Sequence, residues 1–371
     1  MQQITIVTLS TFRDLGRMLA GMASLRRHLA PELLRELLLL CPWQVGKALV
    51  VGHWPAGPSA LVGSATGREY LVLRASGSSV SGATNASAAS LAEGGPCGCC
   101  GPPVWVVPEH LALGTSRQEL AAVPNMYGYK LQMVLKMAVS GLVSTSHYLV
   151  LDSDVLLVRP LSAVTPHWLF PQPGRALYQP QRRGAHADWW SATEAALGLA
   201  GCLSASPEAR VFGVTPALLA TELAAATARF WADRLGGGSW AAALRAMLPR
   251  GAPFLTEYCS YHLVSECVLG SGTLERYHAP RLPGAPRLYQ GLWRGRRRAD
   301  RKGSADGDGG GGGGGGGSGG NKTSGGGGAV EWHQPGGRAE VCEDCLFLVV
   351  QSNAGVPEAR VVSDLEQVFA G

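Results

Sequence analysis

The stretch that decides the fold is His147-Tyr-Leu-Val-Leu-Asp-Ser-Asp-Val-Leu-Leu-Val-Arg-Pro160. Its first five residues predict a buried strand, and two aspartates, Asp152 and Asp154, follow directly. In extended backbone alternate side chains point the same way, so we expect both carboxylates on one face. Neighbouring carboxylates repel each other unless a cation or hydrogen-bond donors lie between them. Because ligands of α/β sheets bind at the carboxyl ends of strands, the stretch predicts a divalent cation holding a phosphorylated ligand.

Apolar patterns on both sides of this stretch alternate between strand and helix. The sequence predicts strands at residues 4–9, 37–40, 70–73, 104–107 and 346–351. It predicts helices at residues 12–29, 127–142, 187–200, 216–235, 240–247 and 257–269. Alternation of this kind is typical of a mixed, mainly parallel sheet flanked by helices. We therefore expect an α/β fold.

Composition predicts one large domain with low-complexity insertions. The chain has 371 residues, of which 46% are hydrophobic, enough for a substantial core. Residues 75–103 are rich in Ser, Gly and Ala and indicate a loop insertion, and the Gly-rich residues 303–328 indicate a disordered one. The net charge of +5 depends on a basic run at residues 294–302. Without that run the charge is about balanced, which gives nucleic-acid binding no support.

Hydropathy, the N-terminal residues, the sequons and the cysteines bear on the cellular compartment of the protein. No apolar run approaches the roughly 18 residues that span a bilayer, and no signal peptide opens the chain, so the chain as written is expected to be cytoplasmic. The sequons at Asn85 and Asn321 have meaning in the Golgi or secretory lumen, if an N-terminal anchor is missing. Nine cysteines, without a disulfide-like spacing, favour a reducing compartment.

Two cysteine pairs have the spacing of metal ligands. These are Cys97-x-x-Cys100 and Cys342-x-x-Cys345. A four-cysteine zinc site needs the pairs to meet in space, although they are far apart in the sequence. The other interpretation is that they are unrelated thiols.

Three motifs in order carry a resemblance to a known class. They are Gly128-Tyr-x-x-Gln132-x-x-Leu135-Lys136, Leu151-Asp-x-Asp-x-x-x-x-Arg159-Pro160 and Thr256-Glu-Tyr258. The set resembles the GT-A class of nucleotide-sugar glycosyltransferases, and more closely a GT-A-like domain family. The resemblance covers most of residues 4–270 and, weakly, residues 340–371. It implies a GT-A-like (Rossmann-like) sheet, Mn²⁺ or Mg²⁺, a nucleotide-diphosphate sugar donor, and a glycan or other hydroxyl acceptor.

The resemblance also implies different binding roles for the two halves of the chain. Residues 1–160 would form the nucleotide-sugar-binding half, and residues 161–371 the acceptor-binding half of the same domain. Asp152 and Asp154 would be the metal ligands. The implied donor-binding residues are Thr8, Ser10, Arg13, Gln132, Lys136, Asp152, Ser153 and Asp154. Some of these residues have another interpretation. Ser10 or Thr11 also suits a helix N-cap, and Gln132 and Lys136 also suit a solvated helix face.

The implied catalytic residue is Glu257, which would take the proton of the acceptor hydroxyl in an inverting transfer. Equally, Thr256 would be an N-cap and Glu257 an acid in the first helical turn. The implied acceptor contacts are Asp188, Trp189 and Tyr258, although aromatic residues in that number are also common in cores. A third metal ligand would be His278 or His333, and lone histidines are usually packing or surface residues.

Together these expectations describe a metal-dependent glycosyltransferase. One alternative is a catalytically inactive binding protein of GT-A-like fold. Another is a nucleotidyltransferase of related fold, and the loop after the first strand, Thr8-Leu-Ser-Thr-Phe-Arg13, lacks the glycine usual in those enzymes.

Overall fold

The computed structural model of the protein describes residues 2–42, 45, 60–63, 69–73, 104–292, 332–334, 337–339 and 344–350. The two predicted insertions, the basic run, both sequons, Cys97, Cys100 and Cys342 lie outside the described residues.

Strands and helices alternate along the described part of the chain, as the sequence predicts. The strands are β1 (Ile4–Leu9), β2 (Leu34–Cys41), β3 (Ala60–Gly63), β4 (Glu69–Leu73), β5 (Val104–Pro108), β6 (His147–Leu151), β7 (Val155–Leu157), β8 (Ala176–Leu177), β9 (Gln181–Arg182), β10 (Arg210–Val211), β11 (Ala217–Ala220), β12 (His278–Ala279), β13 (Arg287–Leu292), β14 (Trp332–Gln334), β15 (Gly337–Ala339) and β16 (Cys345–Val350). The α-helices are α1 (Leu15–His28), α2 (Glu109–Ala112), α3 (Arg117–Ala121), α4 (Gly128–Ala138), α5 (Ala187–Leu197), α6 (Thr221–Gly236), α7 (Trp240–Met247), α8 (Glu257–Leu263) and α9 (Thr273–Tyr277).

A seven-stranded sheet organises these elements, in the order β11-β6-β1-β2-β5-β4-β3. Its centre is parallel, because β1 pairs in parallel with β2 and β6, and β2 pairs in parallel with β5. Antiparallel strands complete both edges, β11 beside β6 and β4 with β3 beside β5. The predicted mixed, mainly parallel α/β sheet is therefore confirmed. β11 belongs to the second half of the chain, so both predicted halves contribute to one sheet.

Helices cover the sheet on both faces, and the alternation of the strand residues explains how. In β1, Ile4 and Ile6 join one hydrophobic cluster with α1, whereas Val7 and Leu9 join another with α4, α6 and α7. Successive side chains of a strand point to opposite faces, so a strand covered on both sides is apolar throughout. Each fully buried side chain of this kind contributes about 1.5–3 kcal/mol. The near-continuous apolar runs are thus the cause of the two-sided core.

The region predicted as a helix over residues 216–235 differs from that prediction. Residues 217–220 form β11, antiparallel to β6, and the helix begins only at Thr221. A four-residue apolar run has too little periodicity to separate strand from helix. The free edge of β6 decides the outcome here, because it supplies backbone hydrogen-bond partners to residues that would otherwise begin the helix.

The Asp-Ser-Asp segment also differs from the expectation of extended backbone. β6 ends at Leu151, and the amide of Val155 donates to the Asp152 carbonyl at 3.1 Å, which closes a tight turn. The chain then enters β7, which belongs to a separate three-stranded sheet in the order β13-β16-β7. Helix α1 packs closely against β7, since a Cβ on Gly21 would lie 2.9 Å from the Val155 carbonyl oxygen. The two aspartates therefore lie on a turn between two sheets.

The structure contains a disulfide between Cys202 and Cys267, 65 residues apart, which the cysteine spacing did not predict. Cys345 is disulfide-bonded as well, which excludes it as a thiolate ligand of the hypothetical zinc site. Disulfides are typical of oxidising compartments, so both observations weigh against the predicted reducing one. Among the helices in the described part of the chain, none combines the length and apolar character that a membrane span requires.

Candidate functional site

Lys136 connects three segments that are far apart in the sequence. Its Nζ lies 2.8 Å from Oδ1 of Asp152 and 2.9 Å from Oε1 of Glu257. It also donates to Oγ1 of Thr215 at 3.2 Å. The side chains of Lys136 and Glu257 are each 7% exposed, whereas that of Asp152 is 38% exposed. We call Asp152, Lys136 and Glu257 the charged triad, which is buried on one side and open to solvent at Asp152.

Local sequence explains how each member reaches the triad. Helix α4 carries Lys136 near its C-terminal end, where a polar residue interrupts a buried apolar stripe. Asp152 is the first residue after β6, and Glu257 is the first residue of α8, whose N-cap Thr256 accepts from the Cys259 amide at 3.4 Å. The N-cap interpretation of Thr256 is therefore confirmed. Lys136 is buried, so the interpretation of its side chain as part of a solvated helix face is wrong.

Two tyrosines enclose the lysine. The hydroxyl of Tyr148 donates to the Lys136 carbonyl at 2.7 Å, and the Tyr258 ring lies 5.4 Å from Nζ in a cation–π arrangement. The Tyr258 hydroxyl is hydrogen-bonded to Thr215 at 2.5 Å. Tyr258 is buried, so its ring has no open face for a sugar, and the predicted acceptor contact does not fit this placement.

Electrostatics keep the triad charged. Burial alone lowers the pKa of Lys136, but the carboxylates of Asp152 and Glu257 outweigh that effect and hold the pKa well above its ordinary value. The ammonium is therefore a permanent positive charge at neutral pH. Because it is already protonated, Lys136 cannot act as a base.

Asp154 is in a different electrostatic position. Burial, and then the negative charge of Asp152, raise its pKa to about 7, although Arg17 opposes the shift. Arg17 is held nearby by a hydrogen bond from Nη1 to the Val350 carbonyl at 2.9 Å. Asp154 therefore gains and loses its proton near neutral pH, and a cation beside it would favour the charged form. Ser153, between the aspartates, is half-buried.

The loop after β1 lies at the same edge of the sheet as the aspartates. Thr8 pairs with Leu151 in the parallel register, so the residues after both strands emerge side by side. Thr8 and Ser10 are buried, and the Ser10 hydroxyl donates to the Thr11 carbonyl at 3.2 Å. Arg13 is exposed, and Gln132 is half-buried one turn before Lys136. Thr8, Ser10, Lys136 and the Asp-Ser-Asp turn thus lie at this edge, and the donor-binding role of all the predicted residues stays a prediction.

An unexpected row of aromatic rings lies next to the triad. Tyr129 stacks on Phe254 with ring centroids 6.4 Å apart, Phe254 is 6.4 Å from Trp189, and Trp189 stacks on His186 at 4.2 Å. We call these four residues the aromatic row. Trp189 was predicted as an acceptor contact together with Asp188, which is exposed beside it. Tyr129 and Phe254 were missed as site residues, although Tyr129 shares a helical face with Lys136 at a seven-residue spacing.

The candidate third metal ligands do not join the aspartates. His278 is fully buried, accepts or donates a 2.7 Å hydrogen bond with the Tyr261 hydroxyl, and its ring is 6.0 Å from that of His147. His147 begins β6 whereas Asp152 follows its end, and five residues of strand span roughly 16 Å. His278 is therefore a packing residue at the opposite end of the strand. The side chain of His333 lies outside the described part of the structure.

The metal-binding side chains of the described residues do not form a large cluster. Among them, no cluster of three or more His, Cys, Asp or Glu side chains is arranged to hold a metal. What the structure does bring together is a strand-edge carboxylate pair, a fixed ammonium and a second buried carboxylate. Open α/β folds form a class in which ligands bind outside the carboxyl ends of the parallel strands, and these charged groups lie at that edge.

Within that class, the chain belongs to a family of unknown function (DUF6492), whose model matches residues 99–301. No curated protein matches the sequence. Solved structures similar to it include the apo crystal structure of mouse xyloside xylosyltransferase 1. That likeness has a TM-score of 0.39 and 10% sequence identity, and it covers 79% of this chain and 88% of that chain. A likeness at this level says nothing about reaction or substrate.

Proposed function

We propose that this protein is a glycosyltransferase that moves a sugar from a nucleotide-diphosphate donor to an acceptor hydroxyl. The observation that supports it best is the charged triad, in which the ammonium of Lys136 lies 2.8 Å from Asp152 and 2.9 Å from Glu257. The order of the motifs that contain these residues supports the same reaction, because it resembles that of GT-A enzymes.

The energetics of the triad favour a functional origin. Removing a lysine and a glutamate from water costs several kcal/mol per ion, and apolar residues of similar volume often stabilise a fold as well or better. Charged groups with perturbed pKa values cluster at functional sites. Asp152 is 38% exposed, so the site opens to solvent at that residue. A diphosphate approaching from there would meet the Lys136 ammonium.

The residues present fit a divalent cation with two protein ligands. Asp154 has a pKa raised to about 7, because burial and the charge of Asp152 outweigh the opposing effects of Arg17 and Lys136, so a further cation beside it would favour its charged form. Asp152 uses Oδ1 for Lys136. Its other oxygen and Asp154 would hold Mg²⁺ or Mn²⁺, which usually bind through one or two carboxylates, waters and substrate phosphates. When bound, the cation would supply Lewis-acid neutralisation of the diphosphate.

In the proposed reaction the bond between the sugar carbon and the diphosphate oxygen breaks, and a bond to the acceptor oxygen forms. The protonated Lys136 would stabilise the negative charge that collects on the leaving diphosphate. Glu257 would take the acceptor proton in an inverting reaction, and in a retaining one it would position the acceptor. In the structure the Glu257 carboxylate accepts a hydrogen bond from the Lys136 ammonium. For either role, the Lys136 ammonium would have to move from Glu257 towards the diphosphate.

A second candidate function is favoured by the same contacts. Lys136 neutralises Asp152 and Glu257 without any ligand, which is also what a binding protein without turnover would show. Such a protein would bind a nucleotide sugar and release no nucleoside diphosphate.

The test is a panel of nucleotide sugars with Mn²⁺, read by release of nucleoside diphosphate per folded molecule. We expect release by the wild type and a reduction of about a hundredfold or more in Asp152→Asn and Glu257→Gln, the effect of removing one electrostatic stabiliser. The matched control is Glu194→Gln, because Glu194 is also a buried carboxylate on a helix and pairs with Arg183 at 2.7 Å. Equal release from the wild type and all variants would exclude a catalytic role for the charged triad. Binding of a nucleotide sugar without release of nucleoside diphosphate would favour the second candidate function.

A further inference from the structure

We propose that the aromatic row is the acceptor surface and that its ligand is a carbohydrate chain, whose sugar rings stack on Trp189, Phe254 and Tyr129. This inference rests on the proposed glycosyl transfer, because it names the acceptor of that reaction.

Two residues of the row lie on the chain segments that carry members of the charged triad. Tyr129 and Lys136 are seven residues apart on α4, which is about two turns, so both lie on one face of the helix. Phe254 is three residues before Glu257, in the segment that leads into α8. The charges of Glu257, Lys136 and Asp152 all act on the Tyr129 phenol. A chain lying along the row would therefore place one end at the triad.

The row differs from the aromatic core of the same protein. Phe212, Tyr258, Tyr261 and His278 also contact one another, but all four are buried. Tyr129 is 41% exposed, and Phe254, Trp189 and His186 are only half-buried. Partly exposed rings that adjoin one another in a row leave apolar surface open to a ligand.

The chemistry of the row suits a sugar better than a protein partner or a lipid surface. A pyranose ring has an apolar C–H face and polar edges, which match an aromatic face with polar groups beside it. Exposed Asp188 and Arg250 supply polar groups, and Arg250 stacks on Tyr127 at 4.8 Å. Other exposed neighbours are the small residues Gly128 and Gly251 and the apolar residues Met126 and Pro253. Polar groups thus border the rings, as a sugar requires, whereas a stable protein interface needs about 800 Å² per partner.

The experiment measures sugar binding directly and needs no turnover. The probes are maltotriose, cellotriose, xylotriose and chitotriose at millimolar concentration, observed by saturation-transfer NMR on the full chain. We expect the wild type to bind at least one of them, and Trp189→Leu to bind it about tenfold more weakly, the size of one lost stacking contact. Trp189→Phe, which keeps a ring, should retain most of the affinity. Tyr129→Leu, at an exposed position, is a second variant in which folding is not at risk.

The matched control is Trp168→Leu. Trp168 is also half-buried and also lies beside a histidine, His167, at 6.0 Å, but it packs against the other face of the sheet. Unchanged binding in Trp189→Leu and Tyr129→Leu, or no binding by the wild type to any probe, would overturn the proposal. Weaker binding of a nucleoside diphosphate in Trp189→Leu, with sugar binding intact, would assign the row to the donor base and also overturn it. Sugar binding without nucleoside diphosphate release would support the aromatic row as a sugar-binding surface and would exclude the transfer reaction.

Discussion

The ammonium of Lys136 and the carboxylate of Glu257 are 2.9 Å apart in space although 121 residues separate them in the chain. Both side chains are almost completely withdrawn from solvent. Charges in such a setting depend strongly on each other, because removing one leaves the other buried and unpaired. The relationship therefore has consequences for stability as well as for the proposed chemistry.

Replacing Lys136 by methionine should destabilise the fold. The substitution leaves the buried Glu257 without its cation, which costs about 3–5 kcal/mol. Asp152 adds little, because it is 38% exposed and regains water. Urea unfolding of Lys136→Met and of the double variant Lys136→Met/Glu257→Leu measures this cost. The double variant should recover most of the stability, and a loss as large as in the single variant would contradict the coupling.

Asp154 should make stability depend on pH. Its folded pKa of about 7 lies above its ordinary value of 3.8. The folded state therefore binds more protons between pH 4 and 7, and stability falls as the pH rises through that range. Asp154→Asn removes this loss, so it should be more stable than the wild type at pH 8 and similar to it near pH 4. At 1.36 kcal/mol per pKa unit the gain is at most about 4 kcal/mol.

Manganese should reduce the same pH dependence if Asp154 is a metal ligand. A cation beside the carboxylate favours its charged form, so Mn²⁺ should stabilise the wild type more at pH 8 than at pH 5. Glu109→Gln is the matched control, since burial raises the pKa of Glu109 to about 7 as well. Glu109→Gln should keep the response to Mn²⁺, and Asp154→Asn should lose it. Thermal unfolding with Mn²⁺ at both pH values measures the difference.

The disulfide between Cys202 and Cys267 should contribute to stability by restricting the unfolded chain. It closes a loop with a sequence separation of 65, for which chain entropy predicts about 4 kcal/mol. The double variant Cys202→Ser/Cys267→Ser should therefore unfold at lower denaturant concentration than the oxidised wild type. Dithiothreitol should reproduce much of the effect in the wild type. An unchanged midpoint in the variant would show that this bridge has no stabilising role.

His278 should make the fold sensitive to acid. Burial, with a further contribution from His147, lowers its pKa to about 3 from an ordinary value of 6.5. The unfolded state therefore binds more protons between pH 3 and 6.5, and stability is lost as the pH falls through that range. His278→Gln should lower stability at pH 7.5, because the histidine is hydrogen-bonded to Tyr261, but it should show a smaller further loss at pH 5. Thermal unfolding at the two pH values tests this.

The local pattern of the sequence was sufficient for the central elements. β1, β6 and α4 were predicted because their apolar periodicity is encoded in a few consecutive residues, and the position of Asp152 after β6 follows from the end of that run. The mainly parallel, two-sided sheet follows from the same alternation, since continuous apolar strands must be covered on both faces. Thr256 as an N-cap is equally local, because a cap bonds only to its own first turn.

Tertiary structure alone decided which distant groups meet. β11 formed where a helix was predicted because the edge of β6 offers hydrogen bonds that the isolated segment lacks. Lys136 was interpreted as a solvated residue or a donor contact, and only the packing of α4 against β6 and α8 brings it to Asp152 and Glu257. The same holds for Cys202 with Cys267, and for Tyr129 with Phe254 and Trp189. Periodicity specifies which face of an element is buried, whereas the partner on that face depends on how all the elements pack together.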